Sequence, residues 1–240
     1  MTKQSFLKGT FVLMVAGMIT KILGIVNKIV LARMIGDEGV GLYMMAYPTL
    51  ILTVALTQLG LPVAISKMVA EANAYNDRKK IKRILTVSFT IIGVLSLIFT
   101  AALIVVAPLT SHILFTDERT LYPLLAITPI VPIVGVASVL RGYFQGIQNM
   151  SPYANSQIIE QIVRISLVYF LASALLPYGI EYAAAGAMIA GVIGEGVSLI
   201  YMIMMFKAKK RIPIRKRFWT SLGGGRETFR QLMGIALPTT

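Results

Sequence analysis

Apolar residues occur along this chain in long runs that are separated by short polar segments. Six of the runs reach the roughly 20 residues that a helix needs to cross a hydrocarbon core of ~30 Å. They cover residues 6–31, 40–65, 84–108, 121–144, 158–176 and 182–206. The pattern predicts an all-α integral membrane protein in which six transmembrane helices form one lobe.

The amino-acid composition supports the same class of protein. Apolar residues make up 56% of the 240 residues, charged residues only 14%, and the mean hydropathy is +0.77. These values exclude a water-soluble domain. The net charge of +13 would suit a nucleic-acid partner in a polar chain, but this chain has too little polar surface for that partner.

The charged residues divide between the two ends of the predicted helices. Basic residues collect in segments 3–8, 67–83 and 207–230, and we assign Arg141 to the same side. The other side carries mainly acidic residues, namely Asp37, Glu38, Asp117, Glu118 and Glu181. Because short cytoplasmic loops are enriched in Lys and Arg, we expect a multi-pass protein of the cell membrane with a cytoplasmic N-terminus.

Three segments outside the predicted spans bear on domain organisation. Residues 66–83 mix apolar and basic positions, which fits either a surface helix on the anionic inner leaflet or a solvated loop. Residues 207–228 are basic and then glycine-rich, and they are predicted to be a cytoplasmic linker after a lobe formed by residues 1–206. Residues 229–240 turn apolar again, and we expect them to begin a second lobe that is truncated here, since many transporters contain two repeated helix bundles.

Polar residues inside the first predicted helix are one functional signal, because an ionised side chain in a bilayer usually faces a cavity or a partner. Lys21 and Lys28 lie near one face of this helix, together with Gly17 and Gly24. The two lysines are candidates for cavity cations that bind substrate. The alternative is that Lys28 extends to the membrane interface and the glycines only allow close packing.

Carboxylates inside the fifth and sixth predicted helices are a second signal. Glu160 precedes Arg164 by four residues, which is the favourable order for an ion pair on a helix. Arg164 is a candidate for a third cavity cation, although the pair could instead lock neighbouring helices together. Glu195 stands between Gly194 and Gly196. Glu160 and Glu195 are both candidates for ion coupling or for a structural role.

The sequence offers little for enzymatic chemistry. It has no cysteine and a single histidine, His112, which excludes thiolate sites and multi-histidine metal sites. It also lacks a nucleophile–histidine arrangement, a phosphate-binding loop and a carboxylate cluster. We therefore expect no enzyme, no catalytic residues, no metal and no cofactor.

Four segments together carry a resemblance to a known family. They are residues 36–43 (GDEGVGLY), 58–67 (QLGLPVAISK), 140–146 (LRGYFQG) and 176–186 (LPYGIEYAAAG). The chain resembles the polysaccharide-biosynthesis and stage V sporulation protein B family of the multidrug/oligosaccharidyl-lipid/polysaccharide (MOP) exporter superfamily. The resemblance extends over essentially the whole chain, and the run 141–146 is its most specific part.

The resemblance implies two helical lobes around a central cavity, of which this chain is the first. It implies alternating access and flipping of undecaprenyl-pyrophosphate-linked glycans, with a role in spore cortex assembly. The related MurJ-type lipid II flippases have essential basic residues in the cavity, and Lys21 matches one of them in the run Thr20-Lys21-Ile22-Leu23-Gly24. Their next arginine falls at Asn27 here, with Lys28 beside it.

Three functions remain open from the sequence. An anionic glycan lipid suits a cavity that contains Lys21, Lys28 and Arg164. A cation-coupled multidrug or solute exporter would use buried carboxylates, for which Glu160 and Glu195 are the candidates. A membrane scaffold for cell-wall assembly would need neither set. The expected partners are the glycan lipid, membrane lipids and a coupling ion, whose identity the sequence leaves open, and no nucleic acid.

Overall fold

The computed structural model describes the backbone of residues 3–113, 117–208 and 225–236, and the side chains of residues 9–109, 117–208 and 227–236. The described part is helical throughout and contains no strand, which confirms the all-α prediction. The helices are α1 (Lys3–Gln58), α2 (Leu61–Ala74), α3 (Arg78–Ile113), α4 (Leu121–Ile127), α5 (Ile130–Gly146), α6 (Ser151–Leu175), α7 (Ile180–Ala208) and α8 (Gly225–Ala236). Short 3-10 turns at Glu118–Thr120 and Leu176–Tyr178 join some of them.

The first two predicted spans belong to one long helical stretch, α1, that is interrupted at Gly36. This glycine has φ 65° and ψ −177°, a backbone conformation that is essentially restricted to glycine. Before the interruption, Gly9 lies against Met150 at the start of α6, and after it Gly39 lies against Ile180 at the start of α7. Thr57, near the end of α1, then lies against Gly135 of α5. The chain therefore crosses the bundle, reverses direction at Gly36 and crosses back.

Five helical segments in the described residues are long and apolar enough to span a membrane: Gly9–Ala74, Arg78–Leu109, Glu118–Gly146, Ser151–Tyr178 and Ile180–Ala208. The first of them has 66 residues, about 100 Å of helix at 1.5 Å per residue, which is enough for two crossings. The third is divided at Pro129 into α4 and α5 because proline removes a backbone donor. The protein is thus a multi-pass membrane protein.

The segment 66–83 is neither a surface helix nor a solvated loop, and both predictions for it were wrong. Most of it belongs to α2 and the start of α3, which are separated only by the turn at residues 75–77. Met68, Val69 and Ile81 are buried in a cluster that α2, α3 and α5 share. The apolar positions in this segment therefore reflect packing within the protein rather than contact with lipid.

Glycines allow α2 and α5 to approach each other closely. A methyl group on Gly142 would come within 2.8 Å of the Pro62 carbonyl oxygen, and one on Gly146 within 2.7 Å of the Ser66 carbonyl oxygen. These distances are far below ordinary van der Waals contact, so neither position has room for a side chain. The close approach fixes the depth of α5, and with it the position of Arg141.

The predicted linker 207–228 lies largely outside the described residues. Helix α7 continues to Ala208, and α8 begins at Gly225, so both ends of that segment are helical. Leu232 and Ala236 of α8 are fully buried in the same cluster as α2 and α3. The division into a lobe, a linker and the start of a second lobe stays a prediction.

Candidate functional site

A polar pocket opens inside the apolar bundle, between the second part of α1 and helices α5, α6 and α7. Its volume is about 450 Å³. Most of its wall is aliphatic, but its polar members are Tyr43, Tyr47, Gln58, Glu160, Arg164 and Glu195. The rings of Tyr43 and Tyr47 stack on one wall with centroids 6.1 Å apart. Because charged groups are costly at membrane depth, three of them in one pocket mark it as the candidate functional site.

Glu160 and Arg164 form an ion pair along α6. The Arg164 Nη2 donates to Glu160 Oε1 at 2.5 Å, with the four-residue spacing that the sequence predicted. Both side chains are largely buried, since 12% of the Glu160 side chain and 20% of the Arg164 side chain are exposed. The Arg164 Nε is also buried and has no hydrogen-bond partner among the described residues. The exposed part of the guanidinium can still donate hydrogen bonds to a ligand in the pocket.

Close packing of α6 on α7 brings Glu195 to this pair. A methyl group on Gly194 would lie 3.0 Å from the Glu160 carbonyl oxygen and 3.3 Å from the Arg164 Cβ. Gly191, one turn earlier on the same face, lies against the Arg164 Nε. These small residues let the two helices approach closely, and the contact places the carboxylates of Glu160 and Glu195 next to each other.

Arg141 of α5 completes the group by pairing with Glu195. Its Nη2 donates to Glu195 Oε1, and only 5% of the Glu195 side chain is exposed. The guanidinium lies 5.7 Å from the centroid of the Tyr153 ring, which covers it from the start of α6. Arg141, Glu195, Glu160 and Arg164 thus form one buried network with two positive and two negative charges, which we call the inner network.

Arg141 was assigned to the cytoplasmic side from the sequence, and that side stays a prediction, but its pairing with Glu195 was missed. The residue lies within α5, which continues to Gly146. The missed signal was that Arg141 falls inside the predicted span 121–144, where an arginine requires a partner just as Glu195 does. Tyr43, Tyr47 and Gln58 were also missed, because their place on the pocket wall depends on the reversal at Gly36.

Lys21 and Lys28 are not part of the pocket wall. Both side chains are exposed on the first part of α1, in a stretch where Ile22 and Ile25 are also exposed. Asn27 lies between them in the sequence and is turned inward, and its buried Oδ1 has no partner among the described side chains. The structure therefore brings Glu160, Arg164 and Glu195 together and leaves the two lysines on a separate surface.

A second charged group, the outer cluster, lies at the end of the bundle where Gly36 reverses the chain. Arg119 Nη2 is 2.8 Å from Glu38 Oε1 and 2.8 Å from Asp117 Oδ2. The Arg119 side chain is 44% exposed. Hydrogen bonds from the Arg119 side chain and backbone hold the pKa of Asp117 below its usual range. This cluster links Asp117 and Arg119, just before α4, to Glu38 beside the reversal in α1.

The described residues contain no group of three or more His, Cys, Asp or Glu side chains that could hold a metal ion. The inner network has only two carboxylates, and each of them is already paired with an arginine. Its remaining hydrogen-bond capacity consists of arginine N–H donors, and of the two arginines Arg164 lines the pocket. Such donors suit an anionic or neutral acceptor group on a ligand.

Comparison with known proteins yields a family and a fold. The family model of the polysaccharide biosynthesis protein matches residues 6–237. The chain is 61% identical to Stage V sporulation protein B of Bacillus subtilis (strain 168) over 240 residues, which are 100% of this chain and 46% of the relative. It is 30% identical to Lipid II flippase MurJ of the same organism over 218 residues, or 86% of this chain and 40% of the relative.

The fold matches solved transporter structures. The outward-facing conformation of a multidrug resistance MATE family transporter of the MOP superfamily has a TM-score of 0.79 at 16% identity. The match covers 99% of this chain and 52% of that chain. This chain therefore spans about half the length of the curated relatives and of the transporter that it matches.

Proposed function

The chain belongs to the polysaccharide biosynthesis protein family, and from this membership we propose that it is one lobe of a flippase for an anionic glycan lipid. The cargo is an undecaprenyl-pyrophosphate-linked precursor of peptidoglycan or another polysaccharide. Similarity to Stage V sporulation protein B favours a role in sporulation, and similarity to Lipid II flippase MurJ favours a lipid-linked cargo. A second lobe closes the cavity, and the protein acts by alternating access in the cytoplasmic membrane.

The observation that carries this proposal is the Arg164 side chain on the pocket wall. Its Nη2 is paired with Glu160, while 20% of the side chain is exposed and lines the pocket. A pyrophosphate oxygen is a strong acceptor for the exposed guanidinium N–H groups, and the two form a charge-assisted hydrogen bond. The surrounding aliphatic and tyrosine side chains exclude water, which strengthens that bond.

The exposed lysines of α1 extend the proposed path. Lys21 lies about 18 Å along the helix axis from Gly9, which is too far for its side chain to reach an interface easily. An exposed lysine at this depth needs water or a partner, and the cleft towards a second lobe provides both. In the proposed cycle the head group enters from the cytoplasmic side, contacts Lys21, Lys28 and Arg164, and leaves outside when the lobes rock.

The ends of the bundle support the proposed orientation. Gly146, four residues before Met150, contacts Val69 of α2, so we place the basic residues that follow α2 at the end where Gly9 contacts Met150, and the outer cluster lies at the reversal at Gly36. With basic residues on the cytoplasmic side, the N-terminus is cytoplasmic. The lipid tail stays in the bilayer while the head group moves through the cleft.

The experiment is a flipping assay with the full-length protein in proteoliposomes and a fluorescent undecaprenyl-pyrophosphate disaccharide. We expect Lys21→Ala/Lys28→Ala to lower the rate at least about tenfold, because two cations leave the path. The matched control is Lys67→Ala/Lys79→Ala, which removes two exposed lysines at the end of the bundle. Wild-type rates in both double variants would refute the assignment of the lysines. An inactive wild-type protein would favour a scaffold.

A second candidate function is cation-coupled export of a drug or other solute. The observation that favours it is the adjacency of Glu160 and Glu195 at the pocket wall. In this case a cationic substrate, and not the glycan lipid, would be transported by the same proteoliposomes. Loss of that transport in Glu160→Gln, with glycan flipping absent in the wild-type protein, would support export.

A further inference from the structure

Arg141 differs from the other members of the inner network because it stands behind the pocket. Glu160, Arg164 and Glu195 line the cavity, whereas the Arg141 guanidinium reaches Glu195 from α5 and is covered by the Tyr153 ring. Arg141 therefore acts on a ligand through the carboxylates of the wall, chiefly through Glu195. Its position makes it a positioning residue rather than a ligand-binding one.

The pocket wall by itself would carry a net negative charge. It contains two adjacent carboxylates and one guanidinium, and the described lining contributes no other charged side chain. Two carboxylates side by side repel each other, and together they would draw Arg164 fully into pairing with them. A wall of this kind attracts cations and repels a pyrophosphate.

The pair between Arg141 and Glu195 changes that balance. Arg141 lies outside the pocket wall and pairs with an oxygen of Glu195. The two arginines then balance the two carboxylates, and the inner network as a whole is neutral. Glu160 then forms a single ion pair with Arg164, so the guanidinium of Arg164 on the pocket wall keeps N–H groups that can donate to a ligand. We propose that Arg141 is a specificity-determining residue, which neutralises Glu195 so that the pocket accepts an anionic head group instead of a cation.

The identity of the anion in this inference rests on the proposed function. The expected change in cation binding does not depend on that function. Removing the positive charge of Arg141 exposes a net negative wall, and the affinity for an anion falls while the affinity for a cation rises. Removing the negative charge of Glu195 has the opposite effect on both ligands. A residue that merely holds helices together would weaken binding of both ligands in the same direction.

The test measures the Kd of undecaprenyl pyrophosphate and of tetraphenylphosphonium with the full-length protein in nanodiscs. For Arg141→Gln we expect the anion to bind about tenfold more weakly and the cation severalfold more tightly. For Glu195→Gln we expect both shifts to reverse. The double variant Arg141→Gln/Glu195→Gln restores the balance of charge, and we expect both Kd values to return close to those of the wild type.

Arg119→Gln is the matched control, because it removes one arginine from the outer cluster, far from the pocket, and should leave both Kd values unchanged. The inference is overturned if the double variant binds the anion as weakly as Arg141→Gln does. It is also overturned if either single variant weakens, or strengthens, the binding of both the anion and the cation. If Arg141→Gln does not fold, the opposite shifts expected of Glu195→Gln still decide the question. If the wild type does not bind undecaprenyl pyrophosphate but the variants change the Kd of the cation as expected, the proposed function is refuted and the role of Arg141 is not.

Discussion

The inner network and the outer cluster are built from the same groups, arginine and carboxylate, but in opposite surroundings. In the inner network the side chains of Glu160 and Glu195 are 12% and 5% exposed, whereas in the outer cluster Glu38 is 54% exposed. Pairs in water gain little because solvent competes for each charge, while buried charges have no other partner. Among the arginines of these two groups, those of the inner network are therefore held strongly enough by their carboxylates to determine the charge of a binding site.

The largest effect is expected when one charge of the inner network is removed. Glu195→Gln leaves the Arg141 guanidinium buried without its counter-ion, and we expect a loss of about 3 kcal/mol in stability, because an uncompensated buried charge is costly. The measurement is the midpoint of thermal unfolding in detergent. The double variant Arg141→Gln/Glu195→Gln should recover most of the loss. A single variant as stable as the wild type would show that the pair is not effectively buried.

The second largest effect on stability is expected when the contact between α6 and α7 is disturbed and all charges are kept. In Gly194→Ala the added methyl group meets the Glu160 carbonyl oxygen at 3.0 Å, so α6 and α7 must separate. We expect a loss of about 1–3 kcal/mol, the usual cost of overpacking. The matched control is Gly196→Ala, whose added methyl group has nothing within 4 Å. Equal stability of the two variants would contradict the close packing that brings Glu195 to Glu160.

A third, much smaller effect is expected at the outer cluster. Arg119→Gln breaks the contacts to Glu38 and Asp117, but all three groups keep access to solvent. We expect the unfolding midpoint to stay within error of the wild type, because exposed ion pairs contribute little. A loss comparable to that of Glu195→Gln would show that the two regions do not differ in the way described.

The smallest effect is the pH dependence of the outer cluster. The pKa of Asp117 lies below its ordinary value of 3.8 because Arg119 donates hydrogen bonds to the carboxylate. A depressed pKa stabilises the folded protein above the unfolded value, and this contribution is lost as pH falls through the folded pKa. Acid titration of the unfolding midpoint should therefore show a slightly smaller loss in Asp117→Asn than in the wild type. Identical acid titrations would contradict the pairing.

Much of the fold could be predicted from the sequence because long apolar runs admit few structures in a membrane. The helices beginning at Arg78, Ser151 and Ile180 were predicted to start six, seven and two residues later than they do. The reversal at Gly36 falls in the predicted connection between the first two spans, whereas the break at Pro129 divides the fourth predicted span into α4 and α5. The predictions for residues 66–83 were wrong because contact with protein and contact with lipid both favour the same apolar side chains.

The candidate site was only partly predictable. Glu160 and Arg164 share a helix, so their four-residue spacing was enough to pair them. The partner of Glu195 could not be identified in this way, because Arg141 lies 54 residues away and meets it only through the packing of α5 on α7. Lys21 and Lys28 were grouped with Arg164 by charge and by the resemblance to MurJ-type flippases, and their role stays a prediction that depends on the surface of α1.

The most direct test of the central claim compares two variants of the α6 pair in the full-length protein in nanodiscs. Glu160→Gln keeps Arg164 and removes its partner, while Glu160→Gln/Arg164→Gln removes both charges without leaving either one uncompensated. The measurement is the Kd of undecaprenyl pyrophosphate. We expect Glu160→Gln to bind at least as tightly as the wild type and the double variant to bind about tenfold more weakly. Equal affinity in both variants would contradict the claim that Arg164 accepts the anionic head group.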